Sequence, residues 1–311
     1  MATGDIITLM GGSGFVGTHL ARRLGLCGYR VRVLCRSAPQ PERAALTGAQ
    51  YLQTDSDSFE KLNEAIAGSA AVINLIGILN EGADEKSTFH YAHVVLPQRI
   101  TDACRSNKVP VLLHMGALNA GQGISLYLQS KAEAEARVLA ANDGSLRTAV
   151  ICPSIIFGEG DSFFNRFAAL LKFAPFFPLG CADAVMAPVC VDEVCQAFID
   201  ALGEPASAAQ RIDLAGPQDY TLAELVRFTG RVSGHKRPLI ALPDLLARVQ
   251  ARLLGYVPGK PMTMDNYRSL QTPSTVAADS PRTRISIESR VPAYLGLPLH
   301  AQWQRLQDLP A

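Results

Sequence analysis

Ile6-Ile7-Thr8-Leu9-Met10-Gly11-Gly12-Ser13-Gly14-Phe15-Val16-Gly17-Thr18-His19-Leu20-Ala21-Arg22-Arg23-Leu24 joins an apolar strand to an amphipathic helix through a Gly-x-x-Gly-x-x-Gly turn. Each glycine answers a spatial need. Gly11 permits the tight turn, Gly14 lets backbone approach a phosphate, and Gly17 lets the helix pack on the strand. The helix start, with Phe15 and Val16, offers free N–H groups and the positive end of a dipole to an anion. A glycine triplet placed after a strand and before a helix predicts a dinucleotide pyrophosphate site.

Working outward, apolar strands are predicted at residues 6–10, 30–34, 71–76, 111–114 and 148–152. Helix-period segments at 17–26, 58–67, 92–106 and 126–141 separate them. This alternation predicts an α/β fold, a Rossmann-type doubly wound parallel sheet. Ligand is then expected at the carboxyl ends of the strands, where the glycine turn, Arg36, Ile76, Gly77 and Pro153 converge. After Pro153 the alternation weakens, with Gly158, Gly160, Pro175, Pro178 and Gly180 breaking the chain. We expect a dinucleotide-binding domain over residues 1–157, with returning segments at about 188–216, and a small C-terminal substrate or partner lobe over 158–311. Val189–Val191 and Arg211–Leu214 read as the returning strands. Thr221 and Glu224 read as a capping box, and 272–284 as a long loop.

The chain has 311 residues, 48% hydrophobic and 18% charged, so a large core is affordable and disorder is not expected. A net charge of +1 argues against a nucleic-acid partner. Seven cysteines lack any Cys-x-x-Cys pair, which fits reduced thiols. No His/Cys/Asp cluster has metal-ligand spacing, so no metal is expected. The opening residues do not read as a signal peptide and no stretch reads as a membrane span, so a cytoplasmic protein is expected. Phe163–Leu179 and Leu239–Val257 mix large apolar residues with Arg166, Lys172, Arg248 and Arg252. We read them as a pocket wall and a core-facing helix. The alternative is peripheral contact with a membrane, at its cytoplasmic face, or with a protein complex.

The end of the second strand bears on the coenzyme. An acid there binds the ribose hydroxyls of NAD, whereas arginine accommodates the 2′-phosphate of NADP. The strand ends in Cys35-Arg36-Ser37, and no carboxylate follows before Glu42. NADP(H) is therefore preferred, with NAD(H) the alternative. Asp55 is a candidate acceptor for the adenine amine, or else a helix cap.

Tyr127-Leu128-Gln129-Ser130-Lys131 is Tyr-x-x-x-Lys on a predicted helix, and residues four apart share a face. An ammonium beside a phenol favours the phenolate, so Lys131 is expected to lower the pKa of Tyr127. Such a phenol can exchange a proton with a carbonyl or alcohol during hydride transfer. Lys131 is also a candidate for the nicotinamide-ribose hydroxyls.

The glycine turn followed by Tyr-x-x-x-Lys resembles the short-chain dehydrogenase/reductase superfamily in its extended or atypical branch. His114-Met115-Gly116-Ala117-Leu118-Asn119-Ala120, Cys152-Pro153-Ser154-Ile155-Ile156-Phe157-Gly158 and Phe163-Phe164-Asn165-Arg166-Phe167 resemble the group related to the 39-kDa accessory subunit of respiratory complex I. The resemblance implies a bound NADP(H) or NAD(H). It carries over Gly11, Gly14, Gly17, Tyr127, Lys131 and a Pro153-Ser154-Ile155 turn flanking the nicotinamide. One departure matters. The superfamily usually has Ser or Thr, orienting the substrate carbonyl, where this chain has Gly116. Ser125, Asn119 or His114 could supply the missing donor, a water could fill the space, or the chain could bind cofactor without turnover. His93 is expected to be structural, as is His114.

The function these readings favour is a NADP(H)-binding reductase-like protein acting on an apolar, quinone- or lipid-like small molecule. A non-catalytic accessory or assembly protein is the alternative, and a nucleotide-sugar epimerase or dehydratase is a third reading.

Overall fold

The strand Ile6–Met10 (β1) buries Ile7, Leu9 and Met10 almost completely, on both faces, as a central strand of a parallel sheet must. The computed structural model describes residues 1–37, 41–203 and 210–308. β1 pairs in parallel with Arg30–Cys35 (β2) on one side and Ala71–Asn74 (β4) on the other. Gln50–Gln53 (β3) extends the sheet beyond β2, and Val111–Met115 (β5), Arg147–Pro153 (β6) and Gln210–Leu214 extend it beyond β4. The result is a seven-stranded parallel sheet. The strand order reverses between β1 and β4, so the switch point that favours ligand binding lies there.

Helices cover both faces. Phe15–Leu26 (α1) and Val191–Gly203 pack through Leu20, Leu24, Val194 and Phe198 on one side. On the other, Phe59–Ile66 (α3), Leu96–Ser106 (α4) and Leu126–Ala140 (α5) contribute Leu62, Ile66, Ile100 and Val138. The short helix Pro41–Thr47 (α2) bridges β2 and β3. Neither α2 nor β3 carries an apolar pattern to read, since β3 is the half-exposed edge sequence Gln-Tyr-Leu-Gln.

Several expectations need correction. Val189–Cys190 is a strand, but it pairs with Ile156–Phe157 in a separate two-stranded ladder, and only Gln210–Leu214 returns to the main sheet. Phe163–Phe173 (α6) is not simply a pocket wall. It packs Phe164 and Leu171 into the lobe's own core with Leu222–Val232, a helix that Thr221 and Glu224 open with a capping box. Asp244–Leu254 is not core-facing either, because only Ala247 and Ala251 are buried along it. The final helix, Leu299–Asp308, turns back to the sheet domain, where Trp303 meets the Arg43 guanidinium and the His19 ring.

Three imidazoles are sealed inside. His19 donates from Nε2 to the Glu159 carbonyl (2.9 Å). His93 and His114 lie at the carboxyl end of the sheet domain and are as deeply buried. Burial, the dominant cause in each, lowers their pKa values to about 4, 2 and 3 respectively. Unfolded, each takes up a proton near its ordinary pKa of about 6.5, while the folded chain does not. Stability is therefore expected to fall below that pH, by about 1 kcal/mol per pH unit for each histidine. Burial raises Asp161 to about 6, and this opposes one of the three, since the folded carboxyl gains its proton first. Thermal denaturation at pH 7.5 and pH 5 checks this; an unchanged Tm would mean that the imidazoles titrate as if exposed.

Candidate functional site

Gly11 has φ +76°, and a Cβ there would press on Ile76, 3.1 Å from its Cγ1. The turn after β1 thus lies directly against the segment leaving β4. Gly17 works differently from expectation. A Cβ on it would collide with the backbone of Gly12, so it lets α1 close on the glycine turn itself rather than on the strand. α1 begins with no side-chain cap at Gly14 and no acid in its first turn. Unfilled N–H groups facing a glycine-lined cradle suit a pyrophosphate, so the residues present fit a dinucleotide.

Beyond β2, Arg36 and Ser37 are exposed. Asp55 is exposed too, and its carboxylate accepts the Asp57 N–H (3.0 Å), while Ser58 caps α3. A residue that the sequence reading missed stands nearby. Arg43 donates from Nη1 to the Ser13 carbonyl in the glycine turn (2.6 Å), with its guanidinium on Trp303. Its signal was weak because the contact depends on a helix some 260 positions further along the chain.

The chemistry-bearing cluster sits at the ends of β4 and β5. A π-helical turn, Tyr91–Val95, precedes α4 and delivers His93 to it. His93 Nε2 accepts the Ile78 N–H (3.1 Å), which assigns its proton to Nδ1, donated to Ser130 Oγ (2.9 Å). Ser130 in turn donates to the Tyr127 carbonyl (2.8 Å). Both ring nitrogens are used, so His93 is structural. Its ring also meets the Tyr127 ring edge-on at 5.6 Å. Asn74 accepts the Ile76 N–H and donates to His114 Nδ1 (3.1 Å). That leaves the His114 Nε2 proton buried without a partner among the described residues.

Lys131 is buried and donates to the Met115 carbonyl (2.8 Å). Burial lowers its pKa to about 8, with Cys152 and Glu135 pulling the other way. A Cβ on Gly77 would stand 3.4 Å from Lys131 Nζ and 3.6 Å from His93 Nε2. Glycine there leaves the space beside the ammonium open. Tyr127 corrects an expectation. Its phenol is raised to about 12 by burial, not lowered. The reason is local, since Lys131 is committed to Met115 and no cation compensates for desolvation of the phenolate.

Gly116 is not a simple deletion. A Cβ at this position would lie 2.5 Å from Cys152 Sγ and 2.7 Å from Val150 Cγ1, so the cysteine already fills that volume. The proposed substitutes are also engaged. Ser125 caps α5, donates to Asp265 (3.0 Å) and contacts Ser269 Oγ (2.6 Å). Asn119 donates to the carbonyls of Pro273 and Thr275. His114 lies beneath, on β5. Pro153 ends β6, and its carbonyl accepts the Leu118 N–H (3.0 Å). Ile155 is half-buried against the lobe core.

The second missed residue is Asp265, on the short helix Met264–Ser269. Its carboxylate accepts the N–H groups of Leu126 (2.8 Å) and Tyr127 (3.0 Å). It anchors the positive end of α5 and so fixes where Tyr127 stands. No spacing rule links positions 127 and 265.

Comparison with known proteins gives the family and the fold. Residues 7–216 match the NAD dependent epimerase/dehydratase family. The mouse protein NADH dehydrogenase (ubiquinone) 1 alpha subcomplex subunit 9, mitochondrial, is 28% identical over 269 residues, covering 84% of this chain and 70% of its own. The ceramide reductase of Caulobacter vibrioides is 24% identical over 239 residues, covering 77% and 74%. A crystal structure of UDP-glucose 4-epimerase from Brucella ovis in complex with NAD superposes with TM-score 0.65 at 18% identity, covering 76% of this chain and 86% of that one, a likeness of fold. With the family match spanning most of the seven-stranded sheet and its glycine turn, the chain belongs to the NAD dependent epimerase/dehydratase family.

Proposed function

We propose that this protein binds NADP(H) and reduces a carbonyl on an apolar small molecule. The observation that carries the reading is that Gly77, on the loop leaving β4, sets no side chain against the buried ammonium of Lys131, which shares α5 with Tyr127. The coenzyme, when bound, would supply the hydride. Gly11, Gly14 and Gly17, with the N–H groups of Phe15 and Val16, would hold its pyrophosphate. Arg36 and Ser37 would receive the 2′-phosphate, Arg43 adding charge, and Asp55 the adenine amine. Ile76, Gly77, Lys131, Pro153 and Ile155 would border the nicotinamide half.

Tyr127 holds a proton on its hydroxyl across the ordinary pH range, which suits it to protonate the oxygen of a carbonyl being reduced. Lys131, beside Gly77, carries a positive charge below pH of about 8. The apolar substrate class is supported by the relatives named for ceramide reduction and for reduction of a farnesylated quinoline oxide. A non-catalytic cofactor-binding role, as a subunit of a larger assembly, is favoured by one observation. Cys152 occupies the volume where the usual hydroxyl would stand, and Ser125 and Asn119 do not replace it.

Titration calorimetry of stripped protein with NADPH and with NADH is expected to show tighter binding of NADPH. Arg36→Ala should cost about ten-fold in NADPH affinity and leave NADH unaffected, the range of one charge-assisted hydrogen bond. Equal affinities in the wild type would refute the assignment of Arg36.

With a test ketone, Tyr127→Phe should lower kcat about a hundred-fold or more while NADPH still binds. The free-protein kcat/KM for reduction should decline above pH of about 8 as Lys131 loses its proton. NADPH binding with no reduction of any ketone would favour the accessory reading.

Gly116→Ser should not simply restore a donor. It should destabilise the fold by about 1–3 kcal/mol through overpacking against Cys152, and Cys152→Ala should recover part of the loss. Urea denaturation of the single and double variants measures both.

A further inference from the structure

Asp244–Leu254 is a helix without a partner over most of its circumference. It buries Ala247 and Ala251, while Leu245, Leu246, Val249 and Leu253 are 72%, 50%, 47% and 63% exposed. Tyr256, just beyond its end, is 84% exposed. The strand Leu239–Ala241 leads into this helix and pairs in parallel with Phe177–Leu179, and this corner adds exposed Phe173, Phe176 and Ile240. An apolar surface of this extent on an otherwise well-packed chain marks an interface.

The charge around it identifies the occupant. Residues 227–260 carry Arg227, Arg231, Lys236, Arg237, Arg248, Arg252 and Lys260 against the single acid Asp244, a net +6, whereas the whole chain carries +1. Lys172 lies beside Phe173, its ammonium 5.6 Å from the ring centre. The helix itself carries Arg248, paired with Asp244 (2.8 Å), and Arg252 among its exposed leucines, and an exposed helix both apolar and basic has the composition of an interfacial helix. A second copy of this chain is a poor occupant, because pairing the surface with itself would set like charges together.

The position of the helix matters as well. Arg248 donates to the Tyr267 hydroxyl (3.2 Å), which also bonds Asp244, so the helix is fastened to Met264–Ser269. That segment carries Asp265, the anchor of Leu126 and Tyr127, and Asn266, which donates to the Leu79 carbonyl (3.0 Å). Leu79, Ile124 and Leu126 are themselves exposed. Exposed apolar side chains therefore also stand at the rim of the candidate site, next to Tyr127.

We propose that this face docks on an anionic lipid bilayer, with the mouth of the crevice turned toward the lipid. The proposal stands on surface composition, and does not depend on whether the chain turns over a substrate.

Co-sedimentation of the full chain with vesicles tests it. Wild type is expected to pellet with vesicles of phosphatidylcholine mixed with phosphatidylglycerol, and far less with phosphatidylcholine alone. Leu246→Ser/Leu253→Ser/Tyr256→Ser should abolish pelleting. Lys172→Gln, Lys236→Gln and Arg252→Gln should each weaken it about five-fold. Calorimetry with NADPH on the same variants separates loss of docking from loss of the cofactor site. The proposal is overturned if wild type stays in the supernatant with anionic vesicles, or if the apolar variant pellets as wild type does. It is equally overturned if wild type sediments as a dimer that the apolar substitutions split, which would make a second copy the occupant.

Discussion

A buried ammonium governs the carboxyl end of this sheet. Lys131 is 3% exposed and has one hydrogen-bonded protein acceptor among the described residues, the Met115 carbonyl. A cation in that setting raises the cost of any second positive charge nearby. His93 and His114 are accordingly neutral, each pushed down first by burial and then by Lys131. A neutral imidazole can accept a hydrogen bond, and both accept one. His93 accepts the Ile78 N–H, and His114 accepts from Asn74. The loop that leaves β4 past Gly77 is thus fixed by a histidine whose protonation state the lysine helps to set.

The same constraint explains Tyr127. A phenol four residues before a lysine on one helix face suggests an activated phenolate, yet here the phenol is held protonated. Proximity along a helix does not decide between lowering by charge and raising by desolvation. The outcome depends on where the lysine points, and Lys131 points at β5.

The order of the alternating elements was legible because each buried strand and each amphipathic helix repeats a local period. The strands at 6–10 and 111–115 and the helix at 126–140 carry their own signal. The edge strand Gln50–Gln53 did not, since an edge needs no apolar alternation to hold its place. The glycine turn was legible as a site, but the task of Gly17 was not. Its contact is with Gly12, five residues back and in a turn, rather than with a neighbouring strand. Gly116 was legible as a departure from a pattern, but its cause was not, because Cys152 comes from the next strand. Arg43 and Asp265 escaped for a stronger reason. Each acts through a partner more than a hundred positions away, Trp303 in one case and α5 in the other.

Those long-range contacts share a direction. The C-terminal region does not hang from the sheet domain as a separate lid. Among its returns, Trp303 supports Arg43 at the glycine turn and Asp265 supports the start of α5. The two ends of the crevice are therefore each braced by a residue from beyond position 260. Asp244–Leu254 is joined to the segment that carries Asp265 by the Tyr267 hydroxyl and by the packing of Ala247 and Ala251 on Tyr267, and Asp265 holds the N–H groups of Leu126 and Tyr127. The start of α5, and with it Tyr127, is therefore held by the same C-terminal segment that seats the exposed helix.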